Sequence, residues 1–156
     1  WLHLGAALVI TITPLFATRI TALTGPTWNP YARVIGWRDL AASTRRLAEA
    51  QGAKTVLADN REVTAELIYY LRDTPLPVTI WFREGTPSNH FEMTLPFTKA
   101  SPDPVLYVTV NPRMTSVPKR FDSAEPLGKQ AFPTDAAPVR DARFTLLKGY
   151  EGDDGK

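Results

Sequence analysis

The chain has no cysteine, which excludes disulfides, thiolate metal ligands and cysteine nucleophiles together. That absence leaves the compartment open, because a domain of 156 residues needs no disulfide to fold. Histidine is nearly as scarce: there are two, His3 and His90, and neither has further ligands at a metal-site spacing. No block of one charge sign exists. With 18 basic against 16 acidic residues and a formal net charge of +2, the footprint of a nucleic-acid binder is missing. Phosphate-cradling glycines are also missing. The run ADNREV, residues 58–63, stands where a dinucleotide site needs G-x-G-x-x-G, and no P-loop sequence occurs, so no cofactor is expected. None of the five serines (43, 88, 101, 116 and 123) lies in a G-x-S-x-G elbow.

What remains is ordinary globular composition, 44% hydrophobic and 22% charged, enough for one domain with a real core. The organising stretch is Ala53 to Leu71, AKTVLADNREVTAELIYYL. Lys54 to Ala58 reads as a buried strand. Val63, Leu67, Ile68 and Leu71 then form an apolar stripe on one helix face. Asp59 and Glu62 have capping-box spacing, so Asp59 is expected to cap that helix. A strand feeding a capped helix opens a βαβ unit.

Around it, Trp37 to Gln51 predicts a helix, with Trp37, Leu40, Ala41, Thr44, Leu47 and Ala48 on one face. Asp39 suits its first turn, and Gly52 suits the left-handed position that ends it. VTIWF (78–82) and VLYVTV (105–110) read as further strands, and about 20 residues between the first two suit a crossover between parallel strands. Asn89 to Leu95 reads equally as a short helix or an extended segment, and Val117 to Phe121 as one helical turn. Residues 127–132 and 142–147 read as an antiparallel pair at one edge. Fourteen prolines, most beyond residue 74, imply a loop-rich second half. The predicted fold is α/β: a Rossmann-like, mostly parallel sheet from 54–59, 78–82 and 105–110, with helices 37–51 and 61–72 packed on it and an antiparallel C-terminal strand pair.

The start is different in kind. Leu2 to Thr18 carries no Asp, Glu, Lys or Arg, and Arg19 is the first charge. It can be read as part of a transmembrane helix, as a helix of the domain, or as a strand; Thr11, Thr13 and Pro14 weaken the first reading and Val9, Ile10 and Ile12 favour the last. No basic n-region precedes it, which argues against an intact secretory signal. The organisation expected is an apolar segment (1–23), a linker (24–36) rich in turn residues, an α/β domain (37–150) and a polar tail (151–156), in a chain that begins at Trp1 as a fragment of something longer. Trp28 and Tyr31 stand where interfacial aromatics would lie, and where ordinary packed aromatics would serve equally.

Three phrases, NPYARVIGW (Asn29 to Trp37), AKTVLADNREVTAELIYYLRD (Ala53 to Asp73) and GTPSNHFEMT (Gly85 to Thr94), taken in order behind an apolar segment, resemble the C-terminal soluble domain of bacterial family 39 glycosyltransferases. These are polytopic membrane proteins related to the protein O-mannosyltransferase and aminoarabinose transferase group. The resemblance covers roughly residues 29–150. It implies a parent enzyme that moves a sugar from a polyprenyl-phosphate carrier to an acceptor, with this domain on the periplasmic side of the inner membrane. Its partners would be the transmembrane half of the same polypeptide, the membrane surface and the lipid-linked sugar carrier. The family's catalytic carboxylates belong to the transmembrane half, so no catalytic residue carries over here.

On the residues themselves, a ligand site would lie at the C-terminal ends of the parallel strands. That rim collects Asp59, Asn60 and Arg61, then Arg83 and Glu84, then Asn111 and Arg113. Such a mixed rim suits a sugar or phosphate, and equally a helix cap with solvated loop residues. His90 and Glu92 add a close His-acid pair, suited either to proton transfer or to tying down a loop. The candidate substrate-binding residues are therefore Asp59, Arg61, Arg83, His90 and Glu92, with no metal ligands. Tyr69, Tyr70 and Trp81 are candidates for stacking on a sugar ring, or for the core. The alternative to a transferase accessory domain is a free-standing α/β ligand-binding or enzyme domain with a sugar-phosphate site at this rim.

Overall fold

The computed structural model describes residues 1–16, 19, 31–82, 85–133, 139–150 and 152. Arg83, Glu84, Trp28, most of the polar tail and residues 24–30 of the expected linker lie outside the described residues.

The fold is α/β. Helix α1 (Leu2–Ile12) runs into a 3-10 turn (Thr13–Phe16), and the domain follows as α2 (Trp37–Gln51), β1 (Thr55–Ala58), α3 (Arg61–Leu71), β2 (Val78–Ile80), α4 (His90–Thr94), β3 (Val105–Thr109), a 3-10 turn (Pro118–Arg120), β4 (Phe121–Phe132) and β5 (Arg140–Tyr150). The five strands form one sheet in the order β2-β1-β3-β5-β4. β1 pairs parallel with β2 and with β3, and β5 pairs antiparallel with β3 and with β4. The expected parallel group with an antiparallel edge pair is therefore present.

Each element has a local cause. The apolar stripe of α2 buries Trp37, Leu40, Ala41 and Ala48, and Gly52 ends the helix at φ 65, donating to the carbonyls of Ala48 and Glu49. The start of α3 corrects the sequence expectation. Asn60, not Asp59, is the cap: its side chain accepts from the Val63 amide at 2.9 Å. Asp59, the residue after β1, is drawn off instead to hydroxyls of β3, as described below. The segment 89–95 is settled as a helix, α4, capped by Asn89, whose side chain accepts from the amides of Phe91 and Glu92.

The β4–β5 hairpin is longer than 127–132 and 142–147, reaching from the Phe121–Tyr150 pair to the Phe132–Arg140 pair. Sequence alternation misses its outer half because β4 is an edge strand, exposed along most of its length, with polar side chains on both sides. A bulge between Pro126 and Gly128 breaks its register, and edge position is where a proline inside a strand costs no ladder bond.

Two cores lie on the two faces. On one, α2 and α3 pack on Val56, Ala58, Leu106, Val108, Phe144 and Leu146. On the other, Trp81, Phe97, Val117 and Phe121 cover Leu57, Val105, Tyr107 and Leu147. Trp81 is thus a core residue, with its ring against Phe97, Phe121 and Tyr150 at 5.8–6.4 Å between centroids. Tyr69 and Tyr70 form an edge-on pair on α3, and Arg72 lies over the Tyr69 ring.

Helix α1 stands apart from both cores. It is a helix, so the strand reading of the apolar start falls, and none of its residues is buried, so it is no part of the domain's core. Among the described residues no helix is long and apolar enough to cross a membrane.

Candidate functional site

From β1 the chain steps to β2 on one side and later returns to β3 on the other side of β1. The first crossover, through α3, lies on the helical face; the second brings Trp81 and Phe97 to the opposite face. The strand order therefore reverses between β1 and β3, and the crevice beyond their C-terminal ends is where open α/β sheets place ligands.

A cleft of about 540 Å³ opens beside this point, lined by Trp37 of α2, Glu62 of α3, Thr109 to Pro112 at and beyond the end of β3, and Lys129, Arg140, Asp141 and Arg143 of the hairpin. The antiparallel register is what brings the hairpin there: Thr109 faces Arg143, and Arg143 faces Lys129. A second depression, of about 660 Å³, shares Glu62, Val139 and Arg140 with the first and continues past Arg33, Arg61 and Phe91. The two make one trough.

Arg140 is its central post. The guanidinium lies 3.7 Å from the centroid of the Trp37 ring and donates to the carbonyls of Ala32, at 2.6 Å, and Ile35. This clamp holds the turn before α2 against the start of β5. Burial pulls the Arg140 pKa down, and the charges of Glu62 and Glu66 push it back up. Burial correspondingly raises Glu66, with Arg140 opposing and Glu62 adding to the rise. Elsewhere along the trough Lys129 pairs with Asp141 at 2.7 Å, and Arg143 donates to the Pro112 carbonyl at 2.9 Å.

Asp59 takes no part in the lining. Its carboxylate accepts from the Thr109 hydroxyl at 2.6 Å and from the Tyr107 hydroxyl at 3.0 Å. Burial raises its pKa, and those two hydroxyls hold the rise in check. Tyr107 is raised in turn, first by burial and then by the Asp59 charge. The Thr109 hydroxyl also accepts from the Asn111 amide at 3.0 Å, so the Asp59 cluster shapes the loop that forms one wall of the cleft.

No family model matches the chain, and neither the curated proteins nor the solved structures compared with it give a match. The chemistry of the site therefore rests on its own residues.

Of the residues singled out in the sequence, Arg61 lines the trough, Asp59 supports its wall from behind, and Arg83 lies outside the described residues. His90 and Glu92 line neither part of the trough; Phe91 between them does. His90 is exposed with its ring beside Phe91, and Glu92 accepts from the Ser88 amide at 2.6 Å and from the Ser88 hydroxyl. That amide bond lowers the Glu92 pKa, and its geometry is that of a loop tie. Sequence reasoning missed Trp37, Arg140, Lys129, Arg143 and Arg33 as neighbours. Only their long-range pairing unites them, so no local spacing could have found them. Among the described residues no group of three or more His, Asp or Glu could hold a metal ion. The trough has donors of positive charge, two carboxylates and a few apolar contacts, which suits binding of a polar, charged small molecule.

Proposed function

We propose that this chain is the non-catalytic, membrane-adjacent α/β domain of an integral-membrane glycosyltransferase, one that moves a sugar from a polyprenyl-phosphate carrier to an acceptor, with the domain facing the periplasm. The observation that carries the reading is α1. Leu2, Leu4, Leu8 and Ile10 are 85%, 67%, 60% and 72% exposed, and no side chain of the helix is buried. A helix apolar all round, with no charged residue, needs an apolar phase around it rather than a groove along one stripe. Each large side chain moved out of water contributes roughly 1.5–3 kcal/mol, so these four alone supply on the order of 6–12 kcal/mol toward a bilayer. The helix as described rises about 16 Å, against roughly 30 Å of hydrocarbon, which reaches into one leaflet. The resemblance of three phrases to the family 39 domain supports the transferase part, and residues of all three phrases (Arg33 and Trp37, Glu62, Phe91) border the one trough.

Flotation with phosphatidylethanolamine/phosphatidylglycerol vesicles tests the membrane part. The chain is expected to float, and a Leu4→Glu/Leu8→Glu variant to lose at least tenfold in partitioning. A wild-type chain that stays in the aqueous fraction sinks it. The transferase part is tested by the gene: upstream coding sequence without several apolar spans overturns it.

A further inference from the structure

The positive charge of this chain is unevenly placed. Residues 1–50 carry five arginines, no lysine and two acids, Asp39 and Glu49. Residues 51–156 carry 13 basic and 14 acidic residues, so the excess lies wholly in the first third. Arg19, Arg33, Arg38, Arg45 and Arg46 are all exposed. Three of them stand on α2. Its buried stripe includes Trp37, Leu40, Ala41, Thr44 and Ala48. Arg38, Ala42, Arg45, Arg46 and Glu49, at i, i+4, i+7, i+8 and i+11, make the outward stripe, and all five are exposed. Glu49, 2.8 Å from Arg45, is the one acid on it. Three arginines against one acid leave +2 on this face, and Arg33 in the turn before the helix makes it +3.

The spacing selects the partner. Arg38 stands about 10–12 Å along the helix axis from Arg45 and Arg46, too far for one small anion to bridge. A flat, extended anionic surface meets all three at once. The neighbouring α3 and the turn after it expose Arg61 and Arg72 against Glu62 and Asp73, which balance, so the attraction belongs to α2. The chain itself says what the surface is. The uncharged, unburied α1 runs into the turn ending at Phe16, 20 residues before α2. A basic face close to an apolar insertion is the two-signal arrangement that holds a domain on an anionic leaflet.

We infer that the outward face of α2 docks on the anionic phospholipid headgroups of the leaflet that α1 enters. The inference rests on the membrane reading of α1, and adds to it the face of the domain that meets the lipid and the headgroup charge it selects.

Flotation of the whole chain with two kinds of vesicle tests it: phosphatidylcholine/phosphatidylethanolamine, which carry no net charge, and phosphatidylethanolamine/phosphatidylglycerol. Each cation near an anionic leaflet contributes about fivefold in partitioning, so three net charges give on the order of 100-fold tighter binding to the second kind, lost in high salt. Arg38→Gln/Arg45→Gln/Arg46→Gln is expected to lose about tenfold or more on the anionic vesicles and less than about threefold on the neutral ones. Lys99→Gln/Arg113→Gln/Lys119→Gln removes the same charge from exposed positions in the segments that carry Phe97, Met114 and Val117 on the other face of the sheet. It should lose less than about threefold. Arg38→Lys/Arg45→Lys/Arg46→Lys should bind the anionic vesicles within about threefold of wild type, which separates lost charge from a lost fold. Wild type binding both vesicles alike, the two glutamine variants losing equally, or no recovery in the lysine variant overturns the docking face. Leu4→Glu/Leu8→Glu should weaken binding to both vesicles. A chain that floats alike on both overturns this inference alone, and one that floats on neither overturns the membrane reading with it.

Discussion

Thr109→Val is the most informative single change, because it removes one hydroxyl and nearly nothing else. Thr109 is 4% exposed, and its hydroxyl makes the shorter of the two bonds to Asp59, 2.6 Å against 3.0 Å from Tyr107. A net contribution of about 1.5–3 kcal/mol is typical of a hydrogen bond to a charged group. The Asn111 amide also loses its acceptor, but Asn111 is exposed and water replaces it in part. A loss of about 2–3 kcal/mol at neutral pH follows, which lowers the urea midpoint by about 1 M for a slope of about 2–3 kcal/mol per M. The loss should depend on pH in a definite direction. The folded pKa of Asp59 lies above its unfolded value, so ionisation of Asp59 lowers stability as pH rises through the folded pKa. Removing a bond that favours the ionised form raises the folded pKa further and deepens that loss. Below about pH 3, a unit under the ordinary carboxylate pKa of about 3.9, Asp59 is protonated in the folded and unfolded states alike, and only a neutral bond of about 1 kcal/mol is missing. Urea unfolding of wild type, Thr109→Val, Asp59→Asn and the double variant at acid and neutral pH measures it. A cost that is the same at both pH values, or a coupling to Asp59 below about 0.5 kcal/mol at neutral pH, refutes the account.

Two further changes test how the trough is built. At Gly36, φ is 83 and an added Cβ would fall 2.9 Å from the Pro133 nitrogen, so Gly36→Ala should cost about 2–3 kcal/mol, read as a fall in Tm of several degrees. Arg140→Lys keeps the charge but loses the planar stack on Trp37 and one of the two carbonyl contacts. It should cost about 1–3 kcal/mol and speed hydrogen exchange at the amides of Val34 and Ile35, while leaving exchange in β1 unchanged at low denaturant.

The parts of the fold legible in the chain are those whose cause is local. The stripe from Trp37 to Ala48 and its closing Gly52, the buried runs 55–58 and 105–109, and the helix 61–71 between parallel strands are all written in spacing and residue type. Where two local devices compete, local pattern does not decide: Asp59 and Asn60 are both good caps, and neither spacing nor propensity says which is chosen. The choice falls to Asn60 because Tyr107 and Thr109, about 50 residues away in the chain, claim the Asp59 carboxylate. The outer half of β4 was illegible for a related reason, since an exposed edge strand has no buried face to impose alternation.

An α/β domain behind an uncharged apolar segment follows from local pattern alone, because helix stripes, buried strands and turn residues act over a few positions. Where the chemistry gathers depends on packing between segments distant in the chain. Arg33 before α2, Arg61 and Glu62 at the start of α3, and Arg140 and Arg143 on β5 become neighbours because β5 pairs with β3 and the strand order turns back at β1. Arg140 and Ala32 meet across 108 residues through a guanidinium–carbonyl hydrogen bond, and no local pattern carries that distance.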